Sequence, residues 1–266
     1  MLGGKRIKAK SMVSNENKKF VFSPEFYDLH VNWTERLKKE KKFFLDIFKS
    51  GDIKSVLDIG CGTGHYAQLF SGYAEKVVAM DPSGESIDYA RKNVVKSSNV
   101  TLIKEGFEGL EKIPYKCFDL VTSLGNTLPI LGSRKKVKQA LKKIKKKLSA
   151  NGLAVVQFLN FNRSVMDENR FYEPKVFQKN DRTYIFIKHF EYGKIKTRVD
   201  FSVSVIYENK LEDFYVHSSS LCTLTTGLFL KMAKNSGFKK IRFLGPGGEK
   251  EFNHKKDVSL YALLYR

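Results

Sequence analysis

Val56-Leu57-Asp58-Ile59-Gly60-Cys61-Gly62-Thr63-Gly64 is a short apolar strand running into glycines at every second position, with a helix opening at His65. Glycine lets a backbone turn tightly and approach a ligand with no Cβ in the way. A dinucleotide fingerprint spaces its glycines as G-x-G-x-x-G and sets a pyrophosphate on the helix N-terminus. Here the third glycine comes one residue early, and His65 stands where the fingerprint wants glycine. Asp58 adds negative charge at the loop, which favours a cationic ligand over a diphosphate. A second acid, Asp81, closes the next strand 21 residues after Gly60, with Pro82 behind it. A carboxylate there can accept both hydroxyls of a ribose. The two acids and the loop ask for an adenosine-type ligand with positive charge and no phosphate, and S-adenosylmethionine fits.

Outward from this loop the chain alternates strands and helices. Strands are expected at 55–59, 76–80, 100–103, 118–123 and 153–159, and helices at 65–70, 83–96 and 134–148. An aromatic stretch that becomes helical precedes them from Phe20 to Lys49 and stops at Gly51. Such alternation implies parallel βαβ units with helices on both faces of a sheet. After Asn160 the rhythm changes. Segments 184–190, 196–207 and 212–219 alternate apolar and polar residues, with turns at Tyr192-Gly193-Lys194 and Asn209-Lys210, which reads as a three-stranded antiparallel meander. A helix at 225–236 and strands at 239–244 and 258–265 close the chain. The expected fold is α/β: a Rossmann-like, seven-stranded, mostly parallel sheet with a small antiparallel insertion after strand five. The expected divisions are a basic tail 1–19, a cofactor-binding core with a helical cap 20–159, a lid 160–222 and the rest of the core 223–266.

At these residues the chain resembles the class I S-adenosylmethionine-dependent methyltransferases. Their E/D-x-G-x-G-x-G strand end is matched as Asp58 to Gly64, and their acid after strand two as Asp81. The resemblance implies that Asp58, Gly60, Cys61, Gly62 and Gly64 hold the methionine part and that Asp81 and Pro82 meet the ribose. The adenine would lie against Glu105-Gly106-Phe107, with Phe107 giving apolar contact. Ser123 ends strand four on the cofactor side. Arg36, one residue out of step with the family's arginine, is the candidate for the cofactor carboxylate.

Four stretches narrow the resemblance to the glycine/sarcosine N-methyltransferase branch. They are Phe26-Tyr27-Asp28-Leu29, Leu124-Gly125-Asn126-Thr127, Asn160-Phe161-Asn162 and Phe214-Tyr215-Val216-His217. By that resemblance Asn126, Tyr27 and Tyr215 hold an amine acceptor, while His217 reads as packing on a strand. One departure bears on the acceptor. Glycine enzymes place an arginine where this chain has Leu159, and Arg163 follows four residues on. The expected pocket is therefore aromatic and neutral, and glycine is not its expected substrate.

Composition bounds the alternatives. The chain has 266 residues, 42% of them apolar, enough for a substantial core, and its first twenty residues lack the apolar segment of a secretory signal. Three widely spaced cysteines make no disulfide framework, and a reducing, cytoplasmic setting is expected. No Asp/His cluster has metal-ligand spacing, so no metal is expected. The formal charge of +20 invites an RNA (tRNA) methyltransferase reading, but 38 of the 48 basic residues are lysine, whereas base and phosphate readers favour arginine. Residues 134–148 pair their lysines with Val137, Ala140, Leu141, Ile144 and Leu148 at helical spacing, which predicts an amphipathic helix with a solvated basic face. Small-molecule methylation, with S-adenosylhomocysteine as product, is thus the leading expectation. A non-catalytic accessory subunit is the rival from another class.

Overall fold

The structure, a computed structural model, describes residues 23–113, 115, 117–162 and 170–266. The expected tail, Phe20 and Arg163 lie outside the described residues. Helices α1 (Pro24–Val31) and α2 (Trp33–Ser50) come first. They are split at Asn32, whose φ of 48° ends one helix while its side chain caps the other.

The first half of the core then follows as β1 (Ser55–Ile59), α3 (His65–Ser71), β2 (Lys76–Met80), α4 (Gly84–Tyr89), β3 (Val100–Ile103) and β4 (Phe118–Ser123). It continues through α5 (Thr127–Ile130), α6 (Arg134–Lys147) and β5 (Leu148–Leu159). Next come four antiparallel strands, β6 (Lys175–Lys179), β7 (Arg182–Glu191), β8 (Lys196–Tyr207) and β9 (Lys210–Cys222). Helix α7 (Thr226–Asn235), β10 (Lys240–Leu244) and β11 (Ser259–Tyr265) complete the chain.

The main sheet has seven strands in the order β10-β11-β5-β4-β1-β2-β3. Only the β11 pairings are antiparallel. Alternate residues of β1 serve different faces. Leu57 and Ile59 join a core with α6 and α7, and Val56 joins a second core with α2 and α3. The strand order reverses between β1 and β4, and open sheets of this kind bind ligands outside the carboxyl ends of the strands at such a point.

Four expectations need correction. The antiparallel sheet has four strands, not three, because β6 pairs with β7 through Asn180-Asp181. Both turn residues have positive φ, as the tightest hairpins require, and Asn and Asp tolerate it. Helix α4 stops at Tyr89 rather than near residue 96 and is followed by a π-type turn over Ala90–Val94. Strand β5 starts at Leu148, five residues early, beside Phe118 of β4. Finally, the lysine face of α6 is not wholly solvated. Lys147 is buried, and its ammonium donates to the carbonyls of Ile113 (3.0 Å) and Tyr115 (2.8 Å). The apolar stripe itself is buried as its spacing requires.

Candidate active site

The glycine loop takes its shape from close contacts. Gly60, Gly62 and Gly64 all have positive φ, where an L side chain is strained. A Cβ on Gly60 would collide with the Thr127 side chain. One on Gly64 would lie 2.9 Å from Val95 and 3.0 Å from Ala90, so the π-type turn is packed against the start of α3. The Gly60 and Cys61 N–H groups donate to the Met80 carbonyl, tying the loop to the end of β2.

The two acids occupy different environments. Asp58 is buried, and its Oδ1 accepts from the Thr122 hydroxyl at 2.7 Å. Its Oδ2 has no hydrogen-bond partner among the described residues. Burial, with Asp81 adding repulsion against the Thr122 bond, pushes the Asp58 carboxyl up to about 7. Asp81 is half-buried, and burial raises its carboxyl despite N–H donors from Ser83 and Gly62, each at 2.9 Å. The β3 loop meets the β2 end, since a Cβ on Gly106 would stand 3.6 Å from Pro82.

Helix α1 is tied to the loop through one carboxylate. Asp28 accepts from the Trp33 indole (2.8 Å) and the Thr63 hydroxyl (2.6 Å), and pairs with His65 (2.9 Å). Burial opposes its ionisation, but these bonds win and hold the carboxyl below its usual range. Tyr27 is thereby held between the two glycine segments. Added Cβ atoms on Gly62 and Gly125 would sit 4.0 Å and 3.5 Å from it. Burial raises the Tyr27 phenol, so it stays protonated at neutral pH. Arg36 pairs with Glu40 at 3.3 Å and lies over the Trp33 and Tyr66 rings, while Tyr66 donates to Glu40.

Beyond Tyr27 lies a chamber of about 770 Å³ between the carboxyl ends of β4 and β5, helices α1 and α2, and the inner face of the four-stranded sheet. Gly125, Asn126 and Leu159 line it from the main sheet. Asn126 sits at φ 70°, and its side-chain oxygen accepts the Leu159 N–H at 3.2 Å, stitching the β4 loop to β5.

The structure therefore gathers Asp58, Gly60, Cys61, Gly62, Gly64, Asp81 and Pro82 at one end of the cleft and brings Tyr27, Arg36 and Asn126 to the chamber beside it. Ser123 is buried at the end of β4, its hydroxyl unpartnered among the described residues. Glu105 pairs with Lys112 at 2.8 Å. Two residues fall elsewhere. Phe107 opens a 3₁₀ turn and is buried in the core with Leu110 and Ile113. Tyr215 packs on Phe26 and donates to Asp213, and His217, two residues along the same face, lines the chamber instead. Sequence reasoning missed the linking role of Asp28 and the chamber lysines Lys175 and Lys188, which come from strands whose facing only pairing decides. The expectation of a neutral pocket is thus overturned: Arg36, Lys175 and Lys188 all line it.

Among the described residues no group of three or more His, Cys, Asp or Glu is placed to hold a metal ion, and no helix is long and apolar enough to cross a membrane. The site fits S-adenosylmethionine on a direct observation: the buried Asp58 Oδ2, without a hydrogen-bond partner among the described residues, lies at the foot of a loop in which Gly62 meets nothing closer than Tyr27 at 4.0 Å. An open parallel sheet with this loop after β1 and an acid closing β2 defines the class I S-adenosylmethionine-dependent methyltransferases.

Comparison with known proteins agrees. Residues 56–152 match the methyltransferase domain family. The chain is 23% identical to a glycine/sarcosine N-methyltransferase of Parasynechococcus marenigrum over 222 residues, 82% of this chain and 75% of the relative. In fold it is similar to an S-adenosylmethionine-dependent methyltransferase from Clostridium acetobutylicum, with TM-score 0.73 and 15% identity over 91% of this chain and 96% of that one. An amino pentose methyltransferase from Micromonospora echinaspora gives TM-score 0.72 and 17% identity over 94% of this chain and 99% of that one. The matched segment, the relatives and the fold together support an enzyme of the class I S-adenosylmethionine-dependent methyltransferase kind.

Proposed function

We propose that the enzyme methylates a small-molecule amine. The observation that carries this reading is the chamber of about 770 Å³ beside the glycine loop, roofed by the four-stranded sheet. That volume suits a small ligand, and the roof restricts approach by a folded polynucleotide. The Parasynechococcus and Micromonospora enzymes, which by name act on glycine or sarcosine and on an amino pentose, support the same class.

When bound, S-adenosylmethionine supplies a methyl group already activated on its sulfonium. Asp58 and the backbone of Gly60 to Gly64 face its methionine end, Arg36 its carboxylate, and Asp81 with Pro82 its ribose. Glu105 and Gly106 border the adenine. Tyr27, a neutral phenol, and Asn126 flank the transfer path and hold the acceptor nitrogen with its lone pair toward the methyl. Positioning of this kind supplies several kcal/mol, roughly 7–11 in favourable cases. The four-stranded sheet β6 to β9 acts as a lid that keeps water out.

A methyl-transfer assay over amines, phenols and tRNA tests the proposal. Transfer to amines, with S-adenosylhomocysteine released in equal amount, is expected. Transfer to tRNA alone would overturn it.

A further inference from the structure

The inner face of β7 reads Phe186, Lys188, Phe190, so a lysine occupies a place in an otherwise aromatic row. Its ammonium lies 5.0 Å from the Phe201 ring, and no carboxylate among the described residues is within ion-pair distance. Lys175, from β6, faces the same chamber and donates to the His30 carbonyl at 3.1 Å. Two like charges here repel each other, and burial adds to the cost. Of the chamber's two acids, Glu40 is engaged by Arg36 and Tyr66, and Glu173, exposed as Lys175 is, forms no ion pair among the described residues, so Lys188 is left without a carboxylate partner there.

A third polar group points the same way. His30 is buried against Phe186 and Phe201, and its Nδ1 has no partner among the described residues. Burial, with Lys188 and Lys175 adding to it, pushes its pKa down to about 2, so the ring is neutral and can donate one N–H. Burial likewise pulls Lys188 down to about 8, with Lys175 and Arg36 contributing. An apolar residue at position 188 would cost the fold less, unless the chamber takes an anion.

We propose that the acceptor carries an oxyanion, a carboxylate or a phosphate, held by Lys188 and Lys175 with His30 beside them. The inference rests on the amine-methylation reading and specifies its substrate class: an amine bearing an anionic group some distance from the nitrogen. It also takes the place of the missing arginine at Leu159, with the cations supplied by the roof instead of by β5.

Four probes test it in two pairs: 4-(aminomethyl)benzoate against its amide, and tyramine phosphate against tyramine. Binding is measured by calorimetry with the protein saturated by S-adenosylhomocysteine, and methyl transfer in parallel. The anionic member of at least one pair is expected to bind tenfold or more tightly than its neutral mate, and the pair that does so separates carboxylate from phosphate. Lys188→Met should remove that preference while leaving the neutral mates within about twofold and S-adenosylhomocysteine affinity within about threefold. Lys188→Arg should restore much of it, which a merely structural lysine would not predict.

Neutral mates that bind as well as the anions, no binding of either anion at millimolar concentration, or an unchanged preference in Lys188→Met would each overturn the proposal. The underlying reading fails separately. Anion binding that depends on Lys188, with no amine methylated, keeps the anion site and removes the amine acceptor. Preferred methylation of the neutral mates keeps the activity and removes the anion site.

Discussion

The Asp81 carboxylate accepts the Gly62 backbone N–H at 2.9 Å, so the acid that closes β2 also holds the glycine loop that follows β1. Its other oxygen accepts the Ser83 N–H, also at 2.9 Å. Asp81 thus shapes the loop from the position proposed to meet the ribose, and the sequence suggests only the second of these roles.

Asp81→Ala is accordingly expected to weaken S-adenosylmethionine binding by roughly 2–4 kcal/mol, since charge-assisted bonds are lost and two N–H groups lose their acceptor. Thermal melts should show a modest loss of stability as well, because the loop loses its tie. Calorimetry showing unchanged affinity in a folded variant would remove Asp81 from the ribose site.

Asp58 makes the free enzyme sensitive to pH. Its carboxyl is pushed up to about 7, above the value expected in the unfolded chain. The folded state therefore holds a proton that the unfolded state releases, and Asp58's contribution makes stability fall as pH rises from about 4 to 7. The ionised form is the one that attracts a cation. S-adenosylmethionine affinity should therefore rise about tenfold between pH 6 and pH 8, the ratio of ionised fractions for a group titrating near 7. Asp58→Asn should flatten both profiles, in melts of the free protein and in calorimetry. A wild-type affinity that does not change with pH would show that this carboxylate does not meet the cofactor's charge.

Asn126 is expected to act on the acceptor side. Asn126→Ala should lower turnover at least tenfold and change cofactor affinity less than threefold. Because φ is 70°, alanine also strains the backbone by about 1 kcal/mol, whereas glycine does not. Asn126→Gly separates the two effects. Equal turnover loss in both variants assigns the effect to the side chain, and recovery in the glycine variant assigns it to strain.

The basic helix divides into two kinds of lysine. Changing the exposed Lys135, Lys138, Lys142 and Lys146 to Gln together should leave turnover on a small amine within about twofold, since solvated charges couple weakly to a distant site. Lys147→Met leaves two carbonyls without their donor and should lower the melting temperature by several degrees, at about 2–4 °C per kcal/mol for a chain of this size. Equal melting temperatures for the two variants would show that Lys147 contributes no more than its solvated neighbours.

The sequence by itself determined the parts whose signals are local. The run from Val56 to Gly64 dictates a strand, a tight turn and a helix start, because only glycine tolerates positive φ so cheaply. The apolar spacing of 134–148 dictates one buried helix face, and the alternation of elements up to Leu159 dictates a mostly parallel sheet. Tertiary structure decided what depends on distant partners. Asp28 is an ordinary helical acid until folding brings Thr63 and His65 to it from 35 and 37 residues away. Phe107 suits a cleft wall or a core equally well until the sheet buries it. Lys188 sits on an alternating strand whose register with β8 turns it into the chamber, and Tyr215 packs on Phe26 of α1. A slip of one residue would reverse every facing on such a strand. Whether the chamber is neutral or cationic was therefore settled by pairing across the four-stranded sheet, which a single strand's composition does not encode.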